Sequence, residues 1–346
     1  MKTTAAVLVA LGAPLEIAEL SVAELKPGQV WVEIAYSGVC HTQLLEAGGH
    51  RGEDRFLPHC LGHEGSGVVV EIGPNVTKVR PGDQVVLSWI KGTGGDVPGC
   101  VYQWDGRAVN AGGITTFGHH AVISENRLTP LPAGVSLREA ALLGCAAATG
   151  FGAVFNTARP SPGQALAVFG AGGVGLCAVQ GAAIAGCAPV VAVDVLPAKL
   201  DLARQMGATH VVDASQEDPL EALRRLIPGG LDFAIEASGQ PSVMDQALRA
   251  VRQQGGAAVV IGNARFGERV PLDPQQLNQG KRLLGTWGGD TQPDRDLPRL
   301  GRLIAAGRLT LAPLLGREYA LAEVNEALDD LASGRTARPL LALAPA

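Results

Sequence analysis

Apolar and polar side chains alternate in short runs along the first third of the chain. Val30-Trp31-Val32-Glu33-Ile34-Ala35 alternates, Gly67-Val68-Val69-Val70-Glu71-Ile72 is a β-branched run stopped by Gly73-Pro74, and Asp83-Gln84-Val85-Val86-Leu87 follows the turn Pro81-Gly82. Short strands between Gly and Pro turns predict a compact, barrel-like β domain. From Trp89 to Thr116 the alternation is lost among Gly92, Gly94, Gly95, Gly99, Gly106, Gly112 and Gly113, which predicts a long irregular loop, either a lobe or a binding segment.

The period changes after Leu137. Residues 138–156 are rich in Ala and Leu and read as a helix broken or kinked near Gly150 and Gly152. Beyond them, strands are expected at 165–169, 190–194, 210–212, 231–236, 257–261 and 282–286, with helices at 172–185, 197–206, 218–226 and 242–252 between them. Strands alternating with crossover helices predict a doubly wound parallel sheet, so the fold class is α/β. The tail adds helices near 296–306 and 322–331 and a strand at 339–343, which is expected to return to the first domain. No internal repeat is visible.

With 346 residues the chain has room for about two domains. Lys and Arg total 28 against 33 Asp and Glu, and no basic block occurs, so neither a nucleic-acid nor an anionic-membrane partner is expected. Apolar stretches such as 140–154 are broken by Gly or Thr and are too short to span a bilayer. The six cysteines, at 40, 60, 100, 145, 177 and 187, are widely spaced and no secretory leader is read ahead of them. A reducing, cytoplasmic compartment is the expectation.

Gly170-Ala171-Gly172-Gly173-Val174-Gly175 fits G-x-G-x-x-G and falls between a predicted strand and a predicted helix. Such a turn lets backbone approach a pyrophosphate while the helix N-terminus offers free N–H donors. The next strand ends in Asp194, where a ribose diol is bound in such folds, and Lys199 follows within reach. A phosphorylated ribose would be repelled by Asp194, so NAD is expected over NADP.

Cys40, His63 and Cys145 are the residue types of a three-ligand zinc site with one open position, although spacing alone does not gather them. The motifs around them do. Gly38-Val39-Cys40-His41-Thr42, Gly62-His63-Glu64-Gly65-Ser66-Gly67, Val79-Arg80-Pro81-Gly82-Asp83, Gly144-Cys145 and the glycine-rich turn occur in this order. Over essentially its whole length the chain resembles the zinc-dependent medium-chain alcohol dehydrogenases.

The resemblance implies a GroES-like catalytic domain, 1–146 and 289–346, interrupted by a Rossmann cofactor domain, 147–288. It implies one catalytic zinc on Cys40, His63 and Cys145, with Glu64 behind the metal and Thr42 as the hydroxyl that takes the substrate proton. His41 and Arg338 match positions near the pyrophosphate. Thr149, Ile261, Gly262, Asn263, Thr286 and Trp287 match positions toward the nicotinamide half, and Trp89 and Phe117 match pocket-lining positions. Relatives are commonly homodimers or homotetramers, and 264–272 is the candidate pairing segment. The implied activity is reversible hydride transfer between a small alcohol and its aldehyde or ketone. A zinc-free quinone or enone reductase and a non-catalytic cofactor-binding protein are the alternatives.

Three departures stand out. Gln43 replaces an aspartate that holds the ligand imidazole in many members, and Leu45 replaces a relay histidine, leaving the ribose, water or another group such as His50 to take the proton. Residues 89–120 contain only Cys100 where many relatives carry four cysteines, so no structural zinc is expected. Cys60 competes with Cys40 as a ligand through Cys60-Leu61-Gly62-His63. Cys177 and Cys187 read as small core residues, and His59, His119, His120 and His210 as surface or strand residues without supporting partners.

Overall fold

The alternating segment at Val30 lies inside the strand Gln29–Gly38, whose inward side chains Val30, Val32 and Ile34 are fully buried. In the computed structural model, which describes residues 1–344, this strand organises one of two units, Met1–Cys145 with Gln292–Ala346. It pairs antiparallel with Glu64–Ile72, with His120–Ser124 and, from the far end of the chain, with Leu340–Ala342. Glu64–Ile72 continues the sheet through Gln84–Ser88 to Leu128–Pro130. Val69, Val85, Leu87, Ile123 and Leu341 close the core against these residues.

A closed barrel completes this unit, built from Lys2–Leu8, Glu16–Ser21, Cys100–Trp104, Arg107–Gly112 and His59–Cys60. The glycine-rich segment is therefore not irregular throughout, as its composition suggested. It contains a hairpin whose two turn residues, Asp105 and Gly106, both have positive φ, 47° and 78°, as a tight two-residue hairpin turn requires. Tyr102 anchors the hairpin by burying its ring among Val7, Leu20 and Val109, while its hydroxyl accepts the Val122 N–H at 2.9 Å. The preceding loop is held by Glu125, whose carboxylate accepts from the N–H groups of Gly95 (2.6 Å), Thr77 (2.6 Å) and Lys78 (2.8 Å). Burial would raise this carboxyl, but those donors outweigh it and hold it low.

The second unit, Ala146–Thr291, is a six-stranded parallel sheet in the order His210–Asp213, Val190–Asp194, Leu166–Phe169, Phe233–Glu236, Ala257–Val260, Arg282–Gly285. In chain order this is 3-2-1-4-5-6, and the direction of winding reverses beside Leu166–Phe169, where such sheets bind ligands. Proline opens the helices Pro197–Gln205, Pro219–Leu226 and Pro241–Ala250, where its missing N–H costs nothing. The unit runs to Thr291 rather than 288 because Thr291 Oγ1 donates to the Ala148 carbonyl at 2.7 Å and Asn156 Nδ2 donates to the Gly289 carbonyl at 3.3 Å. No helix among the described residues is long and apolar enough to cross a membrane.

Candidate metal centre and cofactor turn

The strand Gln29–Gly38 delivers Cys40 to the N-cap of helix His41–Ala47, His63 immediately precedes the strand Glu64–Ile72, and Cys145 closes the first part of the same unit. Their ligand atoms lie within 4.8 Å of one another. Cys145 sits in a π-helical turn, Leu143–Ala147, inside the segment expected to be a helix broken or kinked near Gly150 and Gly152. The wider turn redirects side chains relative to an α-helix and is a recurrent device at functional sites.

The electrostatics suit a cation. The Cys40 thiol is pulled well below its ordinary range, first by the hydrogen bond from Cys145, with Arg338 and His63 assisting against burial. Cys145 is pushed well above its range because it keeps the proton of the pair and is buried. Burial lowers His63, but the neighbouring Cys40 thiolate outweighs it and the net shift is upward. Two soft sulfur donors and one imidazole in a buried pocket form the donor set that suits zinc.

Behind the ligands, the fully buried Glu64 carboxylate forms an ion pair with Arg338, itself 3% exposed. Gly38 makes room for it: a Cβ there would stand 2.2 Å from Glu64 Oε1. Arg338, matched to a position near the pyrophosphate, is buried in this unit, where it pairs with Glu64 and is attracted by the Cys40 thiolate. Gln43 Oε1 accepts the Cys40 N–H at 2.8 Å, which brings Nε2 to 2.5 Å from His63 Nδ1. Thr42 Oγ1 lies 3.7 Å from Cys40 Sγ, while His41 is exposed at the helix start.

Other expected residues fall elsewhere. Phe117 is 1% exposed and packs in the core of the unit, where Gly62 lets its ring lie tightly against the chain. Trp89 is half-buried just beyond strand Gln84–Ser88. Cys60 is no ligand competitor: it packs in the barrel core, where burial pushes its thiol up to about 12. Cys177 is fully buried in helix Gly173–Ile184, and Cys187 is also buried. His59 does have a partner, Asp54 Oδ2 at 2.9 Å, and His119 Nδ1 reaches the Leu343 carbonyl at 2.7 Å. His120 stacks on Trp31, ring centroids 5.2 Å apart, and His210 meets Thr209.

Residues without a sequence signal also emerge. Glu46, Arg51, Asp54 and His59 line a cavity of about 350 Å³ in the metal-bearing unit. Glu236, fully buried at the end of its strand, accepts from the Ser238 hydroxyl and from the N–H groups of Ser238 and Gly239. A carboxylate buried at a strand end looks like any short polar interruption in sequence.

In the second unit, the glycine-rich turn joins Leu166–Phe169 to helix Gly173–Ile184, with Val174 in its first turn. Gly175 is obligatory because a Cβ there would stand 1.8 Å from the Gly170 carbonyl oxygen, whereas a Cβ on Gly172 would meet nothing within 4 Å. The open space beside Gly172, at the helix N-terminus, is the room a pyrophosphate needs. Asp194 ends the adjacent strand and accepts from the Ala171 N–H at 2.7 Å and from those of Val195 and Leu196. Lys199 is half-buried on the following helix. Ile261 and Gly262 are tied by their N–H groups to the Glu236 carbonyl, and Asn263, next in the chain, is exposed. Thr286 Oγ1 contacts Thr157 Oγ1 at 2.8 Å, Trp287 is 76% exposed, and the Thr149 hydroxyl is buried with no hydrogen-bond partner among the described residues.

A GroES-like unit carrying a Cys2His cluster and a Rossmann unit carrying a glycine-rich turn define a zinc-binding dehydrogenase. The family comparisons agree. Residues 26–133 match the alcohol dehydrogenase GroES-like domain and residues 173–306 the zinc-binding dehydrogenase domain. An S-(hydroxymethyl)glutathione dehydrogenase of Synechocystis sp. is 34% identical over 99% of this chain and 100% of its own. Benzyl alcohol dehydrogenase from Acinetobacter calcoaceticus superposes with a TM-score of 0.90 at 31% identity, over 99% of this chain and 100% of that one. An alcohol dehydrogenase zinc-binding domain protein from Burkholderia ambifaria gives 0.92 at 32%, with both chains covered in full. The chain belongs to the zinc-dependent medium-chain alcohol dehydrogenase family and is an oxidoreductase.

Proposed function

We propose that the protein is an NAD-dependent alcohol dehydrogenase with one catalytic zinc per chain, interconverting a small primary or secondary alcohol and its aldehyde or ketone. The convergence of Cys40, His63 and Cys145 carries this reading. Zinc bound there would supply a Lewis acid for the alcohol oxygen, and NAD the acceptor for the hydride. The chain's own groups do the rest. Gln43 orients His63, the Glu64–Arg338 pair sets the field behind the thiolates, and Thr42 takes the hydroxyl proton.

Asp194 supports NAD: its carboxylate is fixed by backbone donors at the end of its strand and would meet a 2′-phosphate as a like charge. The absence of a second zinc is supported by the hairpin and the Glu125 staple, which hold the glycine-rich segment through protein contacts. Six unpaired cysteines favour the cytoplasm. A homodimer or homotetramer is supported by the position of strand Arg282–Gly285 at the edge of the six-stranded sheet and by Phe266, 77% exposed in the 264–272 segment. No nucleic-acid or membrane partner enters this reading.

The test is NADH absorbance with a panel of alcohols and aldehydes, together with elemental analysis. One zinc per chain is expected, with turnover lost and cofactor binding retained in Cys40→Ser and His63→Ala. Full activity after chelation, two zincs per chain or a clear preference for NADP would overturn it.

A further inference from the structure

Oxidising an alcohol releases a proton as well as a hydride, and the chain must carry that proton to water. Helix His41–Ala47 holds the groups placed to do so. Thr42 occupies its first turn beside Cys40, and Glu46 stands four residues on, where a helix brings side chains to the same face. Leu45 is 5% exposed and has no proton to exchange, and His50 is exposed beyond the end of the helix.

Glu46 is half-buried, and among the described residues no hydrogen bond or ion pair occupies its carboxylate. It lines the cavity of about 350 Å³, whose other walls carry Arg51, Glu53 and the hydrogen-bonded pair Asp54–His59. Phe56, 67% exposed, lies at its rim. A carboxylate with an idle lone pair, on the helix that bears Thr42, thus faces a cavity whose lining is mostly apolar but carries these charged groups.

We propose that Glu46 is the proton acceptor behind Thr42, and that the cavity beside it is the exit to solvent. This rests on the dehydrogenase reading above. As the hydride leaves the carbinol carbon with its electron pair for the nicotinamide, the alcohol's hydroxyl proton moves to Thr42 Oγ1. The proton Thr42 already carries passes through one water to a Glu46 carboxylate oxygen, and from there to water in the cavity. The sum is alcohol plus NAD+ to carbonyl plus NADH plus one proton.

The charges around Glu46 are compatible with the role. Cys40 and His63 act on it from the metal side and Arg51 and His59 from the loop, with Glu53 and Asp54 across the cavity. Burial pushes its carboxyl above the ordinary range, against the pull of His63, Arg51 and His59.

The test uses zinc-loaded protein carrying Glu46→Gln or Glu46→Asp. Glu46→Gln should slow alcohol oxidation about a hundredfold at about pH 6–7 with the cofactor KM unchanged, Glu46→Asp should recover part of it, and added imidazole should rescue Glu46→Ala. Independently of turnover, infrared difference spectra of the cofactor-free, zinc-loaded protein should show a titrating carboxyl band that disappears in Glu46→Gln. A Gln variant with wild-type rate and pH profile, or an unchanged infrared titration, overturns the assignment while leaving the dehydrogenase reading intact. A wild-type protein that forms no NADH from any alcohol overturns that reading and the relay with it.

Discussion

Arg338 and Glu64, 274 residues apart in the chain, form an ion pair that is almost completely shielded from water, beside the Cys40, His63 and Cys145 cluster. Removing one partner leaves the other as an uncompensated buried charge. Arg338→Met should therefore cost about 3–5 kcal/mol in urea denaturation, and the double change with Glu64→Gln should recover much of it. A loss below about 1 kcal/mol would mean that solvent reaches the pair.

Gln43 tunes the imidazole. With Oε1 taken by the Cys40 N–H, Gln43 presents its Nε2, a donor, to His63 Nδ1. An aspartate there would instead accept the ring proton of a metal-bound His63 and make the ring a better donor, whereas alanine would leave Nδ1 without a neighbour. Competition with a chromophoric chelator should show tighter zinc binding in Gln43→Asp and about 10–100-fold weaker binding in Gln43→Ala. Equal affinities in all three proteins would exclude the amide as a support.

Metal binding should depend on pH with a defined sign. Cys145 is held above its ordinary range and keeps its proton at neutrality, while a zinc-bound thiol is deprotonated. Zinc affinity should therefore rise with pH, and an indicator dye should register protons released on adding zinc to the metal-free protein. An affinity that stays flat from about pH 6 to 8 contradicts the shared-proton pair.

Asp194 is the discriminating carboxylate in the proposed cofactor choice. Asp194→Ser should narrow the NAD over NADP ratio of kcat/KM about tenfold or more, through loss of the ribose contact and of the repulsion together. An unchanged ratio would assign selectivity elsewhere.

The hairpin turn offers a check on the glycine-rich segment. Gly106 has φ 78°, so Gly106→Val should lower stability by about 1–2 kcal/mol without altering zinc content. Loss of zinc from this variant would tie the segment to the metal instead.

The parallel sheet was readable because its strands are β-branched runs such as Val190-Val191-Ala192-Val193, buried on both faces and punctuated by glycine. The hairpin was not, because seven glycines obscured a modest alternation whose stability comes from the distant contacts of Tyr102 with Val7, Leu20 and Val122. The π-helical turn at Cys145 is a change of hydrogen-bond partner with no compositional mark. Cys40, His63 and Cys145 were singled out through the motifs around them, and the fold brings their ligand atoms together, whereas the core packing of Phe117 and the Glu64 pairing of Arg338 carry no mark in the sequence. Glu46 carried no signal because its significance comes from a helix turn shared with Thr42 and from a cavity assembled by other segments.

The bond between Arg338 and Glu64 also imposes an order on biosynthesis. Cys40, His63 and Glu64 leave the ribosome long before the arginine that neutralises the carboxylate behind them, with the whole Rossmann unit translated in between. The metal-bearing unit cannot reach its final electrostatic state as a nascent domain. A chain stalled before residue 338 would leave the Glu64 carboxylate without its counter-charge, so this centre matures only once Arg338 has been made.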